Sequence, residues 1–293
     1  MTIHPRRSVL YMPGSNARAI EKARSLPADA IILDLEDSVA PQGKIAARQQ
    51  VADAVKTGGF GPREVVVRIN GLDTEWWLDD LNVITHAKPD AILLPKISSP
   101  DQLDDVIERM IAVGAGHQVR VWAMMETPLA MLHADRIAAA ALDPEIRLTA
   151  FVMGTNDLAK ETRAKLTPGR AGMLPWMMNC VAAARAYGVE IIDGVYNDLG
   201  NAEGFAQECA QARELGFDGK TLIHPNQIGP CNAAFSPDAA EVAQARAIIA
   251  AFDLPENAGK GVVAMDGRMV ERLHADMARR TVAIAEAIAG RAV

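Results

Sequence analysis

Short apolar runs rich in Val, Ile and Leu recur along the chain, separated by longer stretches in which apolar positions return every three or four residues. Eight runs have this character: residues 8–13 (SVLYMP), 30–35 (AIILDL), 64–70 (EVVVRIN), 91–96 (AILLPK), 119–126 (VRVWAMME), 148–154 (LTAFVMG), 189–193 (VEIID) and 219–224 (GKTLIH). Helical spacing fills the intervals, as at 16–26, 44–57, 100–113 and 201–215. Strands that alternate with helices predict βα units around a parallel sheet. Eight such units predict a (β/α)8 TIM barrel. A doubly wound open sheet is the main competitor, but it usually has fewer strands and calls for a GxGxxG phosphate fingerprint, which the sequence lacks.

After the eighth run the pattern changes. A helical stretch at 237–252, a glycine-containing link at 257–263 and a last helix over about 269–289 exceed what a barrel needs. The expected organisation is a barrel domain over 1–235 and a C-terminal helical extension over 236–293. The extension is suited to capping the barrel or packing on a neighbouring subunit.

Composition narrows the class. Of 293 residues 49% are hydrophobic, enough for the core of one barrel of roughly 250 residues. A formal charge of −7 argues against a nucleic-acid binder. Cys180, Cys209 and Cys231 are too few and too scattered for a disulfide framework or a zinc site, which fits a reducing compartment. No apolar run has membrane-spanning length, and the start MTIHPRRSVLYMPG lacks the apolar core of a signal peptide. A cytoplasmic enzyme without nucleic-acid or membrane partners is expected.

Barrel enzymes carry their chemistry at the C-terminal ends of the strands. Here nearly every run finishes in polar residues: Asp34, Glu36 and Asp37; Arg68 and Asn70; Lys96; Glu126; Asp157; Asp193 and Asp198; His224. Glu126 and Asp157 are 31 positions apart, about one βα unit, which puts them at the mouths of adjacent strands. Two carboxylates without a His or Cys cluster are hard oxygen ligands suited to Mg2+. The alternative for Asp157 is an N-cap of the following helix. Arg68 interrupts an apolar strand, so it either pairs with a structural carboxylate or meets a developing oxyanion. The turn Pro13-Gly14-Ser15-Asn16 opens a helix carrying Arg18 and Lys22, a phosphate-binding pattern that a Ser/Asn cap and a solvated basic face explain better.

The runs SVLYMPGS, LDLEDSVAP, VRINGL, LPK, METP, GTNDL, IDG and GKTLIHP resemble, in order and over nearly the whole chain, those of the citrate lyase β-subunit-like acyl-CoA lyases. These belong to the HpcH/HpaI aldolase superfamily and include malyl-CoA, β-methylmalyl-CoA and citramalyl-CoA lyases. The resemblance implies a (β/α)8 barrel assembled as a homotrimer or hexamer, with Mg2+ and a CoA thioester substrate. It implies Glu126 and Asp157 as metal ligands, Glu36 and Asp37 as holders of metal-bound waters, and Arg68 facing the reacting oxygen. Pro13, Gly14, Ser15, Arg18, Lys22 and His224 are expected on the CoA side. A catalytic acid/base near the C-terminus, delivered from the adjacent subunit, corresponds to Glu271 in DGRMVE, where many members have Asp.

The expected reaction is therefore Mg2+-dependent carbon-carbon cleavage of a 3-hydroxy-3-carboxyacyl-CoA to acetyl-CoA and a 2-oxoacid. Hydrolysis of (3S)-malyl-CoA is one alternative, and a citryl-CoA lyase-type subunit of a larger complex is another. Met124, Met153, Leu174, Trp176 and Val195 are apolar candidates for the pocket wall, equally consistent with core.

Overall fold

The computed structural model describes residues 4–265 and 267–291. The chain divides into two compact units, Arg6–Ala234 and a second one that takes in the segment from Phe235 onward.

Within the first unit, eight parallel strands close into a barrel in chain order. They are β1 (Ser8–Pro13), β2 (Ala30–Asp34), β3 (Glu64–Arg68), β4 (Ala91–Leu94), β5 (Arg120–Met125), β6 (Leu148–Met153), β7 (Glu190–Asp193) and β8 (Gly219–Leu222). Pairing of Val9 with Thr221 and Leu10 with Leu222 closes the ring. The connecting helices are α1 (Ala17–Ala23), α2 (Lys44–Thr57), α3 (Trp77–Ala87), α4 (Pro100–Ala112), α5 (Pro128–Leu132), α6 (Ala134–Ala139), α7 (Thr155–Thr162), α8 (Leu174–Ala186), α9 (Ala202–Glu214) and α10 (Ile228–Phe235). The (β/α)8 expectation holds.

Side-chain parity decides what each strand contributes. Alternate residues point inward, and Val9, Tyr11, Ile32, Val66, Leu93, Trp122, Met124, Val152 and Ile192 join in one apolar cluster that fills the barrel. Its floor is sealed by Trp122, fully buried, with the Arg6 guanidinium stacked 5.0 Å from the ring centroid. Arg6 is held in turn by Glu64 at 2.6 and 2.8 Å and by Glu190 at 2.5 Å. A packed interior with a charged plug leaves the opposite end of the barrel for chemistry.

In the second unit, α11 (Ala239–Asp253) and α12 (Arg272–Arg291) pack together. Asp238 and Glu241 form a capping box at the start of α11. Between the helices lies an antiparallel ribbon of β9 (Val262–Met265) and β10 (Arg268–Glu271). The helical spacing predicts the last helix from about 269, but Arg268 to Glu271 are committed to the ribbon and α12 begins only at Arg272.

Candidate active site

The last pair in the register between β2 and β3 sets Asp34 beside Arg68. Both side chains have the parity of the barrel interior and meet as a bidentate pair, Nε to Oδ1 at 2.6 Å and Nη2 to Oδ2 at 2.8 Å. Asp34 also accepts the backbone N–H groups of Glu36 at 2.9 Å and Ser38 at 3.1 Å, so both its oxygens are committed. Burial works against ionisation of Asp34, but the adjoining guanidinium together with the hydrogen bonds from Ser38 and Glu36 outweighs it and lowers the pKa. One edge of Arg68 is left over: Nη1 lies 2.8 Å from Glu36 Oε2 and 3.3 Å from Asp37 Oδ2. The Glu36 contact is an ion pair without hydrogen-bond alignment. Arg68 thus pairs with a structural carboxylate and also turns a cationic edge to the strand mouths.

Glu126 follows β5 and is 1% exposed. Its Oε1 accepts the backbone N–H of Lys96 at 2.8 Å. Lys96 has a left-handed backbone, φ 54°, a strained conformation for a residue with a side chain. Its ammonium turns to Glu36 Oε1, 3.1 Å away. Burial, followed by the Glu36 charge, pushes Glu126 up to about 8; Arg68 and the Lys96 N–H oppose the shift, and Asp157 adds to it. Gly154 lies against this carboxylate, where a Cβ would overlap it. Asp157 sits in the first turn of α7, whose N-cap position belongs to Gly154. The N-cap alternative is therefore set aside, and the Asp157 carboxylate has no hydrogen bond or ion pair among the described residues.

Five carboxylates, Asp34, Glu36, Asp37, Glu126 and Asp157, face three cations here, Arg68, Lys96 and the buried Lys44, whose ammonium is held by the Leu35 and Glu36 carbonyls and feels the charges of Asp34, Glu36 and Asp37. A bound cation would relieve the excess. Among the described residues no three His, Cys, Asp or Glu side chains are arranged to hold a metal ion together. Two oxygen donors and several retained waters suit Mg2+.

Glu126 and Asp157 line a cavity of about 390 Å3 together with Tyr11, Pro13, Arg68, Met124, Met153 and Val195. That volume suits a small polar molecule or one end of a larger one. Leu174 and Trp176 are not among the lining residues. Gly14 packs under Asp34, whose carbonyl accepts its N–H at 2.8 Å. Ser15, Arg18 and Lys22 are exposed on the same β1–α1 segment. His224 lies outside the lining and caps the turn after β8, with Nδ1 accepting the Asn226 N–H at 3.2 Å. Glu271 is exposed at the end of β10 in the second unit. Asp266, the first residue of its motif, lies outside the described residues.

Asp193, one of the polar strand ends, is not a cavity residue. It points outward, bound through both oxygens to Arg170 Nη1 at 2.8 Å and to Lys220 Nζ at 2.7 Å, and Lys220 also reaches Glu208 Oε1 at 2.6 Å. Conversely, Tyr11 and the clamping role of Asp34 are not among the expected site features. Parity would have found both, since Tyr11 alternates with Val9 and Asp34 with Ile32, and those partners face the interior.

The model of the family HpcH/HpaI aldolase/citrate lyase matches residues 7–225. A (3S)-malyl-CoA thioesterase of Cereibacter sphaeroides is 50% identical over 286 residues, 98% of this chain and 96% of that protein. Citrate lyase subunit beta of Escherichia coli is 34% identical over 286 residues, 96% of this chain and 93% of its own. CitE from Mycobacterium tuberculosis, solved with magnesium, acetoacetate and coenzyme A, superposes with a TM-score of 0.76 at 29% identity, covering 96% of this chain and 98% of that one.

Proposed function

Because the chain belongs to the HpcH/HpaI aldolase/citrate lyase family, we propose that it is a Mg2+-dependent enzyme acting on a 3-hydroxy-3-carboxyacyl-CoA thioester of the malyl-CoA type. The observation that carries the reading is the carboxylate excess at the cavity, with Glu126 and Asp157 as the two donors and, beside them, the Nη1 edge of Arg68 that Asp34 does not hold. Bound there, Mg2+ would supply a Lewis acid and a template for substrate oxygens.

The protein's own groups do the rest. Asp34 fixes Arg68 so that Nη1 meets negative charge developing on a substrate oxygen, a contribution commonly worth roughly 3 kcal/mol. Lys96 positions Glu126 through its N–H and Glu36 through its ammonium. Glu36 and Asp37 orient water around the donors. Pro13, Gly14 and Ser15, with Arg18, Lys22 and His224, lie on the CoA side. Glu271 moves the proton, delivered by a neighbouring subunit of a homotrimer or hexamer in the cytoplasm, on which the C-terminal extension packs.

Two bonds of such a substrate are open to attack. In hydrolysis, water adds to the thioester carbonyl, the carbon-sulfur bond breaks, and CoA leaves as the thiol with malate. Identity of 50% to a thioesterase over 98% of the chain favours this outcome. In carbon-carbon cleavage, the hydroxyl loses its proton and becomes the carbonyl of glyoxylate, while the acetyl-CoA enolate takes a proton on carbon from Glu271. The cationic edge of Arg68 and the likeness to citrate lyase subunit beta favour this second reading.

Malyl-CoA and Mg2+ incubated with the protein separate them. Free CoA with malate and no glyoxylate supports hydrolysis, whereas acetyl-CoA with glyoxylate supports cleavage. Neither pair, from folded protein at saturating Mg2+, overturns the substrate class.

A further inference from the structure

We propose that Tyr11 is a substrate-recognition residue, whose phenolic hydroxyl donates a hydrogen bond to a carboxylate oxygen at the acid end of the substrate. The inference rests on the substrate class proposed above.

Tyr11 belongs to the inward-facing set of β1 and lies among the residues lining the cavity. In the register it pairs with Ile32, whereas Pro13 pairs with Asp34, so it sits one inward layer deeper than the Asp34–Arg68 clamp. Its ring is fixed under the guanidinium of Arg68, 4.9 Å from ring centroid to Cζ. The hydroxyl has one hydrogen-bond partner among the described residues, the Met124 thioether, with Oη to Sδ at 3.9 Å. A thioether is a weak acceptor, and a hydroxyl facing so poor a partner gives the fold nothing that phenylalanine would not give. Its use is toward the cavity.

Depth and charge identify what arrives there. Only the small end of a CoA thioester reaches the floor of a cavity of about 390 Å3. Burial raises the pKa of the Tyr11 hydroxyl above the usual range; Arg68 opposes this, and the carboxylates of Asp34, Glu126 and Glu36 reinforce it. At neutral pH the group is a donor. With Arg68 and the proposed cation it completes a set of groups that attract oxygen.

Steady-state kinetics with malyl-CoA, native against Tyr11→Phe, test the assignment, with Mg2+ affinity and Tm measured on both proteins. The expected result is a KM raised roughly tenfold with kcat within about twofold, the loss of one hydrogen bond to a charged oxygen. Mg2+ affinity should be unchanged and Tm equal or higher. An unchanged KM, or a fall in kcat alone, overturns the role of Tyr11 while leaving the substrate class intact. A native protein that turns over no malyl-CoA removes both. Calorimetry with free glyoxylate and malate gives a second readout: weaker binding of either acid by Tyr11→Phe supports the contact, and equal binding of both overturns it.

Discussion

Two clusters of charge, one buried and one partly open to water, occupy the same rim of this barrel, and they differ in balance. Around β7, β8 and α9, Asp193 and Glu208 face Arg170 and Lys220, two charges of each sign. Lys220 and Asp193 are fully buried, and the ammonium is further held by the Gly194 carbonyl at 2.6 Å. Around β2 to β6, five carboxylates face three cations, Arg68, Lys96 and Lys44, and Glu126 is pushed up to about 8 with a single hydrogen bond to its name. The balanced cluster faces outward against a helix with its charges paired among themselves, leaving Arg170 Nη2 without a hydrogen-bond partner where Arg170 and Glu208 border a second cavity. The unbalanced one lines the cavity at the strand mouths and would be completed by a cation. A charge cluster whose sum is left open is the better candidate for chemistry.

The largest expected effect comes from removing a donor of the open cluster. Glu126→Gln should abolish measurable Mg2+ binding and lower turnover by about a thousandfold or more, read by calorimetry and by product assay. The same variant should change the pH response of the metal-free protein. Glu126 has a folded pKa near 8 against an ordinary 4.5, so the native state keeps a proton that the unfolded chain releases. Its contribution to stability is full below about 4.5 and is lost as pH rises through 8. Chemical denaturation across that window should show a slope that Glu126→Gln flattens. A variant that still binds Mg2+ like the native protein would place the donor elsewhere.

The closed cluster should respond in stability rather than in metal binding. Lys220→Met leaves Asp193 and Glu208 with only Arg170 and should cost about 3–5 kcal/mol, the usual penalty for breaking a buried ion pair. Folded variant protein at low temperature should keep its Mg2+ affinity. Loss of that affinity without loss of stability would show that the two clusters are not independent.

How far the sequence reveals this contrast depends on the direction of side chains. Strand positions are legible because apolar runs and helical spacing alternate: β1 spans residues 8–13 and α2 residues 44–57 as the pattern predicts. The ribbon of β9 and β10 is not legible, since its short strands are largely exposed and follow a glycine-containing link. Polar strand ends are also legible as a group, but the group mixes two kinds. Asp34 shares the inward parity of Ile32, whereas Asp193 is next to inward-facing Ile192 and so faces out. The partners that neutralise Asp193 come from the loop before α8 and from β8, 23 and 27 positions away, and no local pattern announces them.

Asp37 gives the smallest expected effect and the finest division within the open cluster. It is adjacent in sequence to Glu36, but its side chain is 64% exposed and meets Arg68 only at 3.3 Å. An ion pair so open to water contributes about 0–1 kcal/mol, and an asparagine in its place can still accept from Nη1. Asp37→Asn should therefore weaken Mg2+ binding by roughly threefold, below the tenfold or more expected for a well-ordered residue that orients metal-bound water. A loss as large as that of Glu126→Gln would mean that Asp37 is itself a ligand and that the acidic end of β2, not the pair Glu126 and Asp157, holds the cation.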